Sequence, residues 1–188
     1  MYLTRLFAPL IWRDKRRRYA IFAAAELSSR YDLLAAANLA TDPRVAALAI
    51  QHASDELRHA RLFHTRALEI GPTEPLRADF EHLYERLGQE RFFAFVHRGE
   101  ARACRQLAVW SAWFGRGKDQ RVLSAVLPDE SRHADYTAEL AGSLSQAAAW
   151  EAMRGWMRAG RAVSTAIYNV LAVGIYLALA PLAMVVPR

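Results

Sequence analysis

The sequence predicts an all-α protein: four long helices packed around a buried polar centre, with a short extra helix and a hydrophobic C-terminal helical tail. Three observations predict it. The 188 residues are 53% apolar, with only 9 Gly and 7 Pro, a composition of long helices at a length that suits one domain with a sizeable core. Apolar residues recur at helical spacing through most of the chain. The pentapeptide Asp-Glu-x-Arg-His occurs twice, at 55–59 and at 129–133.

Residues 1–13 form an apolar N-terminal segment interrupted by Arg5 and Pro9. Its positive charges follow the apolar part, the reverse of a secretory signal. It reads equally as an amphipathic surface segment or as a strap packed on the bundle. The bundle itself is assigned to 14–145. Its first helix, 14–40, carries Tyr19, Phe22, Ala23, Glu26, Leu33 and Ala37 on one face, so Glu26 is a lone acid in an apolar stripe. Asp42-Pro43 supplies an N-cap and a first-turn proline for a second helix running to about Ile70. Val45, Leu48, His52, Glu56, His59 and Phe63 share its inner face.

Gly71-Pro72-Thr73-Glu74-Pro75 is a break, and a short amphipathic helix is predicted at roughly 76–87. The third long helix, about 89–114, turns Phe93, Val96, Glu100, Cys104, Leu107 and Ser111 inward, and Glu100 repeats the situation of Glu26. The fourth, about 120–142, holds the second pentapeptide. Pro128 lies within it and should kink or bulge it. Residues 146–188 are amphipathic to Arg161 and then contain no charge from 162 to 187. That run is long enough to span a bilayer and serves equally as a bundle or dimer helix.

Residues three apart project from one side of a helix, so Glu56 and His59 reach one point in space, as do Glu130 and His133. Glu26 precedes Glu56 by 30 residues, and Glu100 precedes Glu130 by the same interval. The two halves are thus one repeat with an offset of 74. Folded together, they aim Glu26, Glu56, His59, Glu100, Glu130 and His133 at one centre. Four carboxylates offset the charge of two divalent cations. Carboxylate with imidazole suits iron or manganese.

On these residues the chain resembles the ferritin-like di-iron carboxylate superfamily over roughly residues 15–142, with one Glu from each of two helices and Glu-x-x-His from each of the other two. The fuller Asp-Glu-x-Arg-His form resembles the oxygen-activating branch of monooxygenases and desaturases. That resemblance implies Asp55 and Asp129 as acceptors for the ligand imidazoles, with Arg58 and Arg132 pairing to them. It implies two iron ions as cofactor and O2 as co-substrate. His52, Cys104 and Tyr136 are candidates for the substrate side, and Tyr31 is also placed near the site. Plain packing competes with this reading at each of them.

The function implied is a non-haem di-iron hydroxylase or oxidase acting on a hydrophobic substrate. The sequence contains no flavin, ferredoxin or nicotinamide motif, so a separate electron-donor protein is expected. The alternative is an iron-handling ferroxidase or peroxidase of the bacterioferritin or rubrerythrin type. The single cysteine rules out a four-cysteine rubredoxin module. The net charge of +6 favours anionic partners, but basic residues do not interleave with aromatics as nucleic-acid binding would ask. Arg154, Arg158 and Arg161 before the uncharged run place the bundle on the cytoplasmic side, at the inner face of the membrane if the tail engages one. A homodimer through the same tail is the other expectation.

Overall fold

The computed structural model describes residues 8–142, and the expectations for 1–7 and for the C-terminal segment 146–188 lie outside the described residues. The described residues are predominantly helical, with no strand among them. Its helices are α1 (Ala8–Ile11), α2 (Lys15–Leu39), α3 (Pro43–Ile70), α4 (Leu83–Leu87), α5 (Gln89–Phe114) and α6 (Lys118–Leu140). None of them is long and apolar enough to cross a membrane.

The helix starts follow from capping chemistry. The Asp14 carboxylate accepts the amide of Arg17 at 2.9 Å and opens α2. Asp42 accepts the amide of Arg44 at 2.8 Å ahead of Pro43 and opens α3. Each carboxylate satisfies an amide that the first turn leaves without a partner. Gly88, at φ 74°, and Gly115, at φ 64°, end α4 and α5 in backbone conformations that favour glycine.

α2 packs along α3 and α5 packs along α6, and the two hairpins meet mainly where α3 faces α6. Their apolar faces build two separate cores. The first joins Trp12, Tyr19, Ala23, Phe63, Trp110, Leu123 and Val126. The second joins Leu33, Ala36, Val45, Ala53, Phe93 and Val96. In all four long helices the charged positions of the repeat fall between the residues of these two cores. The fold therefore places one polar layer between two apolar ones.

Core membership also gives helix direction. The C-terminal halves of α3 and α5 both enter the first core, so these two helices run parallel. The connection 71–82 must then travel the length of these helices. A helix over those residues would cover only about 18 Å of the roughly 42 Å length of α3, at about 1.5 Å per residue. Extended chain reaches about twice as far. This is why the helix predicted at 76–87 is restricted to 83–87, with the residues before it extended. Side chains of α2 guide the crossing: the Ser28 hydroxyl accepts the amide of Asp79 at 2.9 Å, and the Asp32 carboxylate accepts that of Leu83 at 3.1 Å.

The N-terminal segment acts as a strap over its described part. Ala8 and Trp12 are buried, and the Trp12 ring meets Tyr19, Phe22, Trp110 and Phe114 edge-on at 4.8–5.8 Å. Pro128 lies inside α6, which continues through it to Leu140.

Candidate metal centre

Within the polar layer, α3 contributes His52, Glu56 and His59, and α6 contributes Glu130 and His133. These five residues are between 0% and 2% exposed. α2 adds Glu26 and α5 adds Glu100. Two groups of potential donors result: Glu26, Glu56, His59 and Glu130 in one, and His52, Glu100 and His133 in the other. Within each group the donor atoms lie within 4.8 Å of one another. All six residues predicted from the repeat are thus brought together, and His52 joins them.

His59 Nδ1 stands 3.2 Å from Glu130 Oε1 and 3.6 Å from Glu56 Oε1. His133 Nδ1 stands 3.8 Å from Glu56 Oε1 and 3.9 Å from Glu100 Oε2. These contacts do not have hydrogen-bond geometry. His52 Nε2, Glu56 Oε1, His59 Nδ1, Glu130 Oε1 and His133 Nδ1 are all buried without a hydrogen-bond partner. Native structures almost always satisfy such atoms. Five in one layer, all lone-pair donors to a cation, fit a metal centre by chemistry as well as by position. Carboxylate and imidazole together are a donor set for iron or manganese.

The Asp-x-x-Arg parts of the two pentapeptides join across the hairpins. Asp129 Oδ2 accepts from His59 Nε2 at 3.2 Å, and Asp55 Oδ2 accepts from His133 Nε2 at 3.2 Å. Each aspartate therefore orients the imidazole of the opposite pentapeptide. Arg132 donates to both aspartates at 2.7 Å, and Arg58 does the same to Asp55, at 3.0 Å, and to Asp129. The four residues close a square linking α3 to α6. Holding a proton on each Nε2 turns each Nδ1 to the centre, where the neutral ring offers its lone pair, as a ligand histidine requires.

The electrostatics of the protein alone show how the layer is tolerated without a cation. Burial, followed by the charges of Glu56 and Glu130, raises the carboxyl of Glu26 well above the usual range and so favours its protonated form. Burial and contact with Glu130 do the same to Glu100. Burial opposes ionisation of Glu56, but His52 and His59 outweigh it and hold that carboxyl well below its ordinary value. Burial likewise opposes charge on His59, yet Glu130 and Glu56 raise it to about 10. His133 is pushed down to about 4 by burial and the neighbouring His52 ring.

Of the substrate-side candidates, Tyr136 is at the centre: its hydroxyl lies 2.5 Å from His52 Nδ1. Cys104 is half-buried, and burial followed by the charge of Glu130 pushes its thiol up. Tyr31 is 42% exposed, against the guanidinium of Arg30, and has no part in the centre. Sequence reasoning missed Asp119. It is a buried carboxylate that takes Lys15 Nζ at 2.8 Å, Arg66 Nε at 2.8 Å and the Tyr19 hydroxyl at 3.2 Å, tying α2, α3 and α6 together. Its signal was an acid in the first turn of a helix beside a basic run, which is too common to single out.

Comparison with protein-family models, curated proteins and solved structures gives no match to this chain.

Proposed function

We propose that the chain is a ferritin-like four-helix bundle holding two iron ions. In this reading it is a non-haem oxidoreductase that activates O2 against a hydrophobic substrate, with electrons from a separate donor protein. The observation that carries it is the set of five buried, unpaired donor atoms on α3 and α6, completed by Glu26 and Glu100. Glu26, Glu56, His59, Glu100, Glu130 and His133 would hold the ions. Bound there, the ions would supply the reduction of O2 and the oxidising power for attack on a C–H bond.

The protein's own part is positional and electrostatic. Asp55 and Asp129 fix both imidazoles, and the two arginines fix the aspartates. Phe93, Val96, Phe63 and Val126 belong to the apolar cores on either side, so water is kept from the layer. Burial of the centre and the crossed square of Asp and Arg favour ions that stay over ions that pass through. That supports a resident cofactor rather than an iron-handling ferroxidase. The donor set accepts manganese as well.

The test is anaerobic loading with Fe(II), then rapid mixing with O2 while the visible spectrum is recorded. Two irons per chain and a transient absorption band are the expected result. Accumulating ferric mineral, or faster turnover with H2O2 than with O2, would move the protein to iron handling. Failure to bind two metals would overturn the proposal.

A further inference from the structure

Beside the matched ligands the two halves differ at many positions, and at two of them the residues concerned touch each other. The offset of 74 maps Glu26 onto Glu100, Glu56 onto Glu130 and His59 onto His133. It also maps His52 onto Val126, and Leu62 onto Tyr136. Val126 is fully buried in the first core and Leu62 packs against that core. On the other side of the layer the same two positions are an imidazole and a phenol 2.5 Å apart. One half of the centre is therefore closed by aliphatic side chains, and the other by a polar pair.

His52 is 1% exposed. Its Nε2 lies 3.3 Å from Glu56 Oε1 and 3.6 Å from Glu100 Oε1 and makes no hydrogen bond. Its ring stacks on His133 with centroids 3.6 Å apart, so both rings face Glu100. An unpaired buried nitrogen pointing at two carboxylates is placed as the donors of His59 and His133 are. A second-half residue of the same kind is absent, because Val126 has no lone pair to offer.

We propose that His52 is a third imidazole ligand, that it makes the two metal positions chemically unequal, and that Tyr136 is the residue that positions it. One position then has His52, His133 and Glu100, rich in nitrogen. The other has Glu26, Glu56, Glu130 and a single imidazole, His59, rich in oxygen. When Nε2 holds a metal, the ring must carry its proton on Nδ1. The Tyr136 oxygen accepts that proton's hydrogen bond, as Asp129 and Asp55 do for the other two rings. A phenol is neutral at physiological pH, so Tyr136 serves as a neutral acceptor where the partners of the other two rings, Asp55 and Asp129, are carboxylates. A nitrogen-rich position gains more from a later first-row cation than an oxygen-rich one does. The nitrogen-rich position therefore prefers Co(II) or Fe(II) over Mn(II) more strongly than the oxygen-rich one does.

This inference rests on the dinuclear reading, and the test separates the two. The probe is Co(II) alone, titrated anaerobically into the metal-free protein and followed by visible absorption and by proton NMR. The expected result is two resolved binding steps and three exchangeable, strongly shifted imidazole N–H signals. His52→Val, which installs the residue of the other half, should remove one signal and merge the two steps. His52→Gln is a second variant for the case in which His52→Val does not fold. Tyr136→Phe should displace or broaden the same single signal and weaken one of the two steps about tenfold, in the range seen when a ligand's supporting hydrogen bond is removed. Two signals in the native protein would overturn the His52 assignment while leaving a dinuclear centre standing. An unchanged spectrum in Tyr136→Phe would overturn the positioning role. No Co(II) binding at all would overturn the dinuclear reading itself, and the inference with it.

Discussion

The crossed square makes a prediction that distinguishes two residues the sequence treats as equivalent. Asp129 and Asp55 each accept an imidazole N–H at 3.2 Å and two arginine contacts. In the metal-free protein the imidazoles differ: His59 is raised to about 10 and is cationic at neutral pH, whereas His133 is lowered to about 4 and is neutral. Asp129→Asn therefore removes a charge-to-charge hydrogen bond from a buried ring, about 1.5–3 kcal/mol. Asp55→Asn removes a charge-to-neutral one, at the low end of the same range. The arginine contacts add little to either loss, because Arg58 and Arg132 stand 51% and 47% exposed and such pairs contribute about 0–1 kcal/mol. Thermal unfolding followed by circular dichroism in chelator should show Asp129→Asn melting roughly 5–10 °C below the native protein, at roughly 3–4 °C per kcal/mol. Asp55→Asn should fall by about half of that. With Co(II) bound both rings are neutral ligands, so the difference should vanish and both variants should lose metal affinity about 10- to 100-fold. A larger loss for Asp55→Asn in chelator, or native melting for Asp129→Asn, would refute the assignment of charge to His59.

Other outcomes follow from the same geometry. Protons on Glu26, Glu100 and His59 must leave before a cation binds, so metal affinity should rise with pH wherever these raised groups titrate; isothermal titration at several pH values checks the sign. Asp119→Ala leaves the Arg66 guanidinium, 15% exposed, without its buried partner, and should cost about 3 kcal/mol with metal stoichiometry unchanged in a Co(II) titration. Lys15 and Arg66 outweigh burial and hold Asp119 below its ordinary 3.8. Its stabilisation is therefore complete above that pH and is lost as pH falls below it, so Asp119→Ala should flatten the acid limb of the stability profile. Trp12→Ala empties an aromatic socket and should destabilise by about 3–5 kcal/mol in denaturant unfolding. Adding Co(II) at 100 times its Kd should raise stability by about 2.7 kcal/mol per site, and an unchanged melting temperature would show that the layer holds no metal.

Much of the centre was legible because its elements are local. Glu-x-x-His depends on helix pitch alone, and repetition at a fixed offset carries it from one hairpin to the other. Asp42-Pro43 and the boundaries of the long helices are equally local. What the sequence concealed depends on which helices face each other. Each aspartate was expected beside an imidazole, but the exchange of partners between hairpins needs α3 against α6. Asp119 needs α2, α3 and α6 brought together at one end. The crossing at 71–82 is extended because of the distance it must cover, and no propensity in those residues reports that distance. His52 sat on the inner face in plain view; its importance becomes visible only when Val126 is found in the matching place.

The polar layer is costly in the protein alone. Four carboxylates and three imidazoles lie between two apolar cores, where an uncompensated charge is far more expensive than at the surface. Without a cation the layer is made tolerable by protons on Glu26 and Glu100 and by a charged His59 set against Glu56. That arrangement leaves five donor atoms without hydrogen bonds. A structural hydrogen-bond network would have been arranged to satisfy them, and apolar side chains of similar volume would have removed the cost. Two divalent cations would displace the protons, balance the four carboxylates and engage the lone pairs together. The unpaired side chains of the layer are thus what the proposed pair of ions would explain.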